Sequence, residues 1–148
     1  MSDAFFRAGI GAVVRDDARR ILILKRKNVR DNAWQLPQGG IGAEELPVDA
    51  LHRELSEETG LTRQDIEVLR SASEWLVYEL PRNYRNPKVG WGQVQRWFLC
   101  RLLAPHSTVR ADQTELTEAD WVSADQLIER AVSFRKPIYR RLIAEFEL

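Results

Sequence analysis

The sequence predicts an α/β fold in which helices cover a mixed β-sheet. Short apolar runs rich in branched and aromatic residues, each ended by turn residues, predict strands, and three other segments carry helix start or end signals. The two kinds of segment do not alternate as regular strand–helix–strand units, which argues against a purely parallel sheet. No repeat, low-complexity stretch or linker divides the 148 residues, so we expect one domain over residues 1–148.

The predicted strands begin with two runs, residues 5–14 and 20–25, that flank a turn-like segment at 15–18 and should form a hairpin. A short run at 34–36 stops at Pro37 and is expected to enter a loop formed by Gln38, Gly39 and Gly40. The remaining strand candidates are residues 67–69, 74–80, 93–103 and 120–122.

Each predicted helix has its own boundary signals. The first begins near Pro47, whose fixed φ suits the first helical position, and ends at Gly60. The second begins at residues 123–126, which have capping-box spacing, and runs to about Ala131. The third begins near Pro137 and should pack one face on the core, through Ile138, Leu142, Ile143 and Phe146.

Composition excludes several classes of protein. Hydrophobic residues make up 44% and charged residues 30%, and no apolar run approaches the roughly 20 residues that span a bilayer, so we expect neither a disordered chain nor a membrane protein. The N-terminal residues lack the basic and apolar regions of a secretion signal, and the single Cys100 cannot form an intramolecular disulfide. Both observations predict a cytoplasmic protein. Cys100 lies in an apolar predicted strand, so we expect it to be buried and inert.

Charge is balanced overall but segregated along the chain. With 22 basic and 22 acidic residues, the net charge gives no reason to expect duplex DNA or an anionic membrane as a partner. Residues 19–30 hold six basic and no acidic residues, 81–101 hold five and none, and 44–58 hold six acids against one arginine. This distribution suits a site where a polyanion meets cations held by carboxylates, and ordinary solvated faces are the alternative.

Three acids of the first helix point to a divalent metal. At about 100° per residue, Glu54, Glu57 and Glu58 share one arc beside an apolar stripe formed by Val48, Leu51 and Leu55. Clustered carboxylates repel one another, and a hard ion such as Mg²⁺ or Mn²⁺ would offset that repulsion. The two histidines are far apart in sequence, which argues against zinc. The alternative is a solvated acidic face on which Arg53 pairs with Glu57 or Glu45.

A longer motif contains this helix. Gly39 is followed by five residues, Glu45 and seven more residues, and then by Arg53-Glu54-Leu55-Ser56-Glu57-Glu58-Thr59-Gly60-Leu61. This segment resembles the complete Nudix signature. The segments 34–40, 74–81, 92–98 and 132–139 are similar to the branch that contains bacterial RNA pyrophosphohydrolases and plant-type asymmetrical dinucleoside tetraphosphate hydrolases. The resemblance implies an α/β/α sandwich and covers the chain from about Arg7 to Phe146.

The resemblance also implies roles for individual residues. Two or three Mg²⁺ (or Mn²⁺) ions would be held by the Gly39 carbonyl and by Glu54, Glu57, Glu58 and Glu115. Glu118 is the alternative to Glu115, and Arg53 would join Glu45 in bracing the loop against the helix. Glu54 is the first candidate for the general base and Glu115 the second.

Substrate contacts are expected from two further groups of residues. Positions that contact base or phosphates in this branch are matched by Tyr78, Val132 and Phe134, although Tyr78 and Phe134 would also suit the core. Arg135 stands where the branch often has lysine. The phosphates would be held by Arg7, Arg26, Arg82, Arg85 and Lys88.

The function that these observations predict is removal of pyrophosphate from 5′-triphosphate RNA, with a dinucleoside polyphosphate hydrolase as the alternative. A catalytically silent module that binds nucleotides is a third interpretation, and the clustered acids argue against it. The loop at 81–92 has three cations, two aromatic residues and no acid, and is predicted either to contact unpaired RNA or to be a solvated connector. The oligomeric state is left open.

Overall fold

A computed structural model describes residues 4–27 and 33–148, so Arg30 of the basic segment lies outside the described residues. The strands are β1 (Phe6–Arg15), β2 (Ile21–Arg26), β3 (Trp34–Gln35), β4 (Gln38–Gly40), β5 (Ile66–Ser71), β6 (Leu76–Glu79), β7 (Gly92–Leu102) and β8 (Leu116–Val122). The helices are α1 (Pro47–Thr59), α2 (Ala124–Arg130) and α3 (Lys136–Phe146). None of the helices in this part of the chain is long and apolar enough to cross a membrane.

The sheet is mixed, as predicted. Its centre is a parallel pair in which β1 runs beside β7 from Phe6 opposite Gly92 to Arg15 opposite Arg101. The other edge of β7 pairs antiparallel with β5 and β6, while β2 pairs antiparallel with β3 and β8. The predicted hairpin of β1 and β2 is present but short, with Arg15 opposite Ile21 as its register pair, and β2 pairs along its whole length with β8.

Strand alternation divides the core into two layers. Val13, Ile21 and Ile23 pack on the side of α2 and α3, whereas Val14 and Leu22 pack on the side of α1. Helices therefore cover both faces of the sheet, which confirms the α/β/α sandwich.

Helix α1 has the predicted bounds and ends with Gly60 in the left-handed region at φ 78°. The prediction that Val48 joins its apolar stripe is wrong, because Val48 is exposed and Ala50 is buried in its place. Ala50 lies beyond Glu54 and Glu58 on the helical wheel. The helix is thus rotated so that the edge carrying these two glutamates turns toward the sheet.

Residues 38–40 form strand β4 and not the predicted loop. β4 pairs antiparallel with Gly9, Ile10 and Gly11 of β1. A Cβ atom at Gly9 would lie 2.6 Å from the carbonyl oxygen of Gly39, so this close pairing requires a glycine there. The short strand fixes the Gly39 and Gly40 backbone beside α1.

The last two helices follow their sequence signals. Ser123 and Gln126 cap α2 reciprocally, and Ile138, Leu142 and Phe146 of α3 are buried. The pattern did not single out Tyr139, which is fully buried and whose hydroxyl oxygen accepts a hydrogen bond of 3.0 Å from the Leu36 amide. Burial raises the pKa of Tyr139, and likewise that of the buried Cys100 thiol, to about 12.

Candidate active site

The glycines of β4 let α1 and β1 place charged groups directly on the backbone. A Cβ atom at Gly39 would overlap the carboxylate of Glu54, and one at Gly40 would overlap the guanidinium of Arg7. Any larger residue at these two positions would have to displace a charged side chain. Close backbone approach therefore explains why the chain has glycine at both positions.

Arg53 ties the start of the motif to the acidic helix. Its Nε and Nη2 donate to the two carboxylate oxygens of Glu45, at 2.8 and 2.9 Å, and Nη2 also donates to the Gly40 carbonyl at 2.8 Å. Its Nη1 donates to Glu54 at 2.9 Å and, more weakly, to Glu57 at 3.4 Å. The hydrogen bonds from Arg53 and from the Gly42 amide lower the pKa of Glu45 to about 2.

These contacts include the ion pairs of the solvated-face alternative, but they leave the buried carboxylate of Glu58 unpaired and the half-buried carboxylate of Glu54 only partly paired. Glu58 is only 6% exposed, and neither of its carboxylate oxygens has a hydrogen-bond partner in the described part of the chain. Burial and, second, repulsion from Glu54 raise its pKa to about 9, and the Gln38 amide, outside good hydrogen-bond geometry, lowers it only partly. Burial also raises the pKa of Glu54, against the hydrogen bond from Arg53.

Glu115 lies in the wall of the same cavity as the helix glutamates, just before β8. Its position is held by Asp112, whose Oδ1 accepts the amides of Thr114, Glu115 and Leu116 at 2.8 to 3.0 Å. The alternative residue, Glu118, forms an ion pair with Lys25 at 3.3 Å and does not line the cavity. This geometry favours Glu115 over Glu118.

The cavity has a volume of about 890 Å³ and brings the two segregated charge types together. Its acidic wall contains Glu54, Glu57, Glu58, Asp112 and Glu115. Its basic groups come from β1, from the end of β2, from the 81–92 loop and from the segment before α3, namely Arg7, Arg26, Lys27, Lys88 and Arg135. A ligand that fills it would contact both.

The predicted substrate contacts divide into two sets. The cavity is lined by Arg7, Arg26, Lys88, Val132 and Arg135 but not by Tyr78, Arg82, Arg85 or Phe134. Tyr78 is buried, and its ring lies 6.0 Å from Phe134, which in turn lies 5.0 Å from the ring of Tyr84. Tyr78 and Phe134 therefore support Tyr84, which does line the cavity, and a direct contact with substrate stays a prediction for both.

Several polar residues of the cavity wall were not predicted. Gln35, Gln38 and Gln93 line it, and Gln95 behind them donates to Gln38 and Gln93 at 3.2 Å. For Gln93 and Gln95 the sequence did contain a signal. Both are polar residues at inward positions of β7, a strand that is otherwise apolar on that face. Asp112 was not predicted either. An aspartate whose side-chain oxygen accepts hydrogen bonds from amides a few residues later is a common feature of turns, so its residue type was a signal.

The donor set suits a hard divalent cation. Carboxylates and a backbone carbonyl are the ligands that Mg²⁺ and Mn²⁺ prefer, and the unpartnered buried carboxylate of Glu58 is a group that a cation would stabilise. Within residues 4–27 and 33–148, however, no three acidic, histidine or cysteine side chains are already gathered closely enough to hold an ion. Binding a cation would thus require these side chains to converge.

Comparison with known proteins gives consistent matches. Residues 5–142 match the NUDIX domain family. The chain is 43% identical over 147 residues to an RNA pyrophosphohydrolase of Pseudomonas putida, covering 95% of this chain and 91% of that protein. It is 42% identical, with the same coverage, to an RNA pyrophosphohydrolase of Pseudomonas fluorescens.

Solved structures share the fold at lower sequence identity. The dihydroneopterin triphosphate pyrophosphohydrolase of E. coli superposes with a TM-score of 0.74 at 19% identity, over 94% of this chain and 97% of that one. An Ap4A hydrolase of C. elegans superposes with a TM-score of 0.72 at 19% identity, over 95% and 98% of the two chains. At such identities the likeness shows the fold alone.

Proposed function

Since the chain belongs to the NUDIX domain family and is a Nudix pyrophosphohydrolase, we propose that its substrate is 5′-triphosphate RNA, from which it removes pyrophosphate. The observation that carries this proposal is the cavity, in which an acidic wall faces five basic groups. A triphosphate needs cations to offset its charge. The base and ribose of the terminal nucleotide need additional volume beside the triphosphate. Similarity to RNA pyrophosphohydrolases over 95% of the chain supports RNA as the substrate.

Nudix hydrolases generally need divalent metal ions, and the finer assignment to Mg²⁺ or Mn²⁺ belongs to this proposal. The groups that would hold two or three such ions are the Gly39 carbonyl, Glu54, Glu57, Glu58 and Glu115. When bound, divalent cations would neutralise phosphate charge and acidify a water molecule. The buried, unpartnered carboxylate of Glu58 supports its place in this set.

Glu54 is the general base in this proposal. Arg53 donates to one of its oxygens and holds the side chain against Gly39, while the other oxygen accepts no hydrogen bond from the described residues. That oxygen is free to take a proton from water inside the cavity. Arg7 and Arg135 line the same cavity, where they would hold the phosphates of the triphosphate. Arg26 and Lys88 also line it and would hold phosphates further along the RNA chain.

The experiment that tests this function compares two substrates with one preparation. Initial rates of pyrophosphate release from 5′-triphosphate RNA are measured beside rates of hydrolysis of diadenosine tetraphosphate, with the Glu58→Gln variant as a control for contaminating phosphatases. We expect the larger kcat/KM on RNA. A larger kcat/KM on diadenosine tetraphosphate would reject RNA as the main substrate and favour the dinucleoside polyphosphate alternative.

A further inference from the structure

An exposed aromatic and basic patch lies beside the cavity and is not needed to cleave a triphosphate. It consists of Phe5, Arg85 and Trp91, and we call it the rim patch. We propose that the rim patch binds nucleotides beyond the second from the 5′ end of a single-stranded RNA, by stacking their bases. This inference rests on the proposed function, since it extends the same substrate beyond the cavity.

The rim patch is held firmly although it is exposed. The guanidinium of Arg85 lies 4.8 Å from the ring centre of Trp91, and its Nε donates to the Leu80 carbonyl at 2.8 Å. The Trp91 amide donates to the Phe5 carbonyl at 2.9 Å, and its carbonyl accepts the Leu80 amide at 2.7 Å. Trp91 is nevertheless 43% exposed and Phe5 39% exposed. Aromatic surface that the fold orders but does not bury is preorganised for a planar ligand.

The rim patch continues directly from the cavity wall. Leu80, Lys88 and Val89 line the cavity, and Leu80 is also the residue that both Arg85 and Trp91 contact through hydrogen bonds. Asn86 fixes the connecting turn, because its side-chain oxygen accepts the amides of Lys88 and Val89 at 2.8 and 3.0 Å. A chain that leaves the cavity past Lys88 would therefore meet Trp91 next.

The charge and chemistry of this region favour an RNA strand. Residues 81–92 contain three basic residues, Arg82, Arg85 and Lys88, and no acid. Arg82 and Lys88 form no ion pair with any described carboxylate, so both can meet phosphates. Aromatic rings and arginine planes are the groups on which proteins stack unpaired bases, and stacking tolerates any base. A protein partner that covers the same aromatic surface is the competing occupant, and the test below separates the two.

The test is a substrate series on matched tryptophan variants. Trp91→Ala is compared with Trp75→Ala, because Trp75 is 40% exposed and lies outside both the cavity wall and the rim patch. The substrates are a 5′-triphosphate RNA of about ten nucleotides, within the span of known single-strand sites, and a triphosphorylated dinucleotide. Trp91→Ala should lower kcat/KM about tenfold on the longer RNA, as expected when one base can no longer stack.

On the dinucleotide, kcat/KM should be unchanged for Trp91→Ala, and Trp75→Ala should resemble the wild type on both substrates. The unchanged rate on the dinucleotide shows that Trp91→Ala folds, and Trp91→Phe, which keeps an aromatic face, should recover most of the loss on the longer RNA. An equal loss on both substrates, or no loss on either, overturns the proposal. If the patch instead binds a protein partner, neither substrate should show a loss, because the assay with purified enzyme contains no partner.

Binding of a 5′-hydroxyl RNA of the same length separates this inference from the proposed function, because that RNA has no triphosphate to cleave. Weaker binding by Trp91→Ala than by Trp75→Ala supports the rim patch even if triphosphate RNA is not hydrolysed. Equal binding by the two variants overturns the rim patch even if triphosphate RNA is hydrolysed.

Discussion

Glu58 is a carboxyl group that the fold buries without giving it a partner. Burial of an unpaired charge is strongly unfavourable, so without a cation the group keeps its proton, and its pKa rises to about 9. Its neighbour Glu57, on the same helix, is mostly exposed and pairs weakly with Arg53. One helical turn thus presents two carboxylates in different surroundings, and a cation that binds the buried one would also stabilise the fold.

Replacing Glu58 should reveal this cost. With a chelator present, the unfolded chain loses the Glu58 proton above its ordinary pKa of 4.5, whereas the folded chain keeps it up to about 9. Stability that is present below 4.5 is therefore lost progressively as the pH rises toward 9. Glu58→Gln removes this dependence, so its melting temperature relative to the wild type should increase from about pH 5 to about pH 9.

Thermal melts at several pH values measure the effect, with Glu57→Gln as a control at an exposed position of the same helix. A difference for Glu58→Gln that does not change with pH would show that Glu58 is already ionised in the folded chain. Both variants should lower turnover about a hundredfold or more at saturating Mg²⁺, because an amide holds the ion poorly.

Arg53 should matter for stability as well as for rate. Arg53→Ala removes the hydrogen bonds to Glu45, Glu54 and the Gly40 carbonyl together, which frees β4 from α1. We expect a melting temperature lower by several degrees and a kcat at least about tenfold lower, as for other residues that orient ligand groups. Arg53→Lys should recover little, because an ammonium cannot reproduce the planar, forked contact. Wild-type melting and full activity of Arg53→Ala would show that Arg53 is dispensable.

At the scale of elements, the segment before β8 shows how a short turn can position a side chain in the cavity wall. Asp112 gathers three successive amides on one oxygen, and Gln113 adopts a positive φ of 66° within that turn. The Glu115 carbonyl then accepts the Lys27 amide at 2.7 Å, which joins the turn to the end of β2. The Glu115 side chain forms no hydrogen bond or ion pair with residues 4–27 or 33–148, so the backbone of the turn determines its direction.

Asp112→Ala should therefore act through Glu115. We expect kcat to fall about tenfold, with Asp112→Asn close to the wild type because its amide oxygen can still accept the three amides. The double variant Asp112→Ala with Glu115→Gln should be no slower than Glu115→Gln alone, since the turn has no further group to aim. Additive losses, or an Asp112→Asn variant as slow as Asp112→Ala, would show that Asp112 acts through its charge.

Local signals predicted most elements, and long-range pairing explains where they failed. The capping residues of α2 and Gly60 after α1 predicted the helix ends, because each of these signals lies within a few residues of the boundary it marks. The parallel pairing of β1 with β7 joins residues more than 80 positions apart, for which one sequence carries no local mark. A second long-range pairing, between β1 and β4, explains why residues 38–40 form a strand, because Gly39 and Gly40 are typical of a loop unless β1 lies beside them.

The site was predicted in part for the same reason. Gly39, Glu54, Glu57 and Glu58 of the motif are local in sequence, and all four line the cavity. The glutamines of the cavity wall come from β3, β4 and β7, which meet only in the folded sheet. Composition alone also could not separate Arg26, which lines the cavity, from Arg82, which does not.

At the scale of the whole molecule, a net charge of zero conceals a strongly dipolar arrangement around one cavity. The acidic wall would hold cations, and Arg26, Lys27 and Lys88 face the same space without an ion pair to any described carboxylate. By contrast, Arg63 is paired with Asp49 at 2.9 Å and lies outside the cavity wall. Arg26 and Arg63 contribute equally to the net charge. Only Arg26 adds an unpaired positive charge to the cavity that a polyanion would enter.

This difference leads to a prediction about salt. If RNA phosphates bind beside Arg26, log kcat/KM on 5′-triphosphate RNA should fall as log salt rises, and Arg26→Gln should make that slope shallower by about 0.7 for each single-strand phosphate that the arginine neutralises. Rates measured across a salt series at fixed Mg²⁺ give the slope. Arg63→Gln changes the net charge by the same amount and should leave the slope at its wild-type value. Equal slopes for the two variants would mean that Arg26 meets no phosphate, and the path of the RNA would then have to leave the cavity on its Lys88 side.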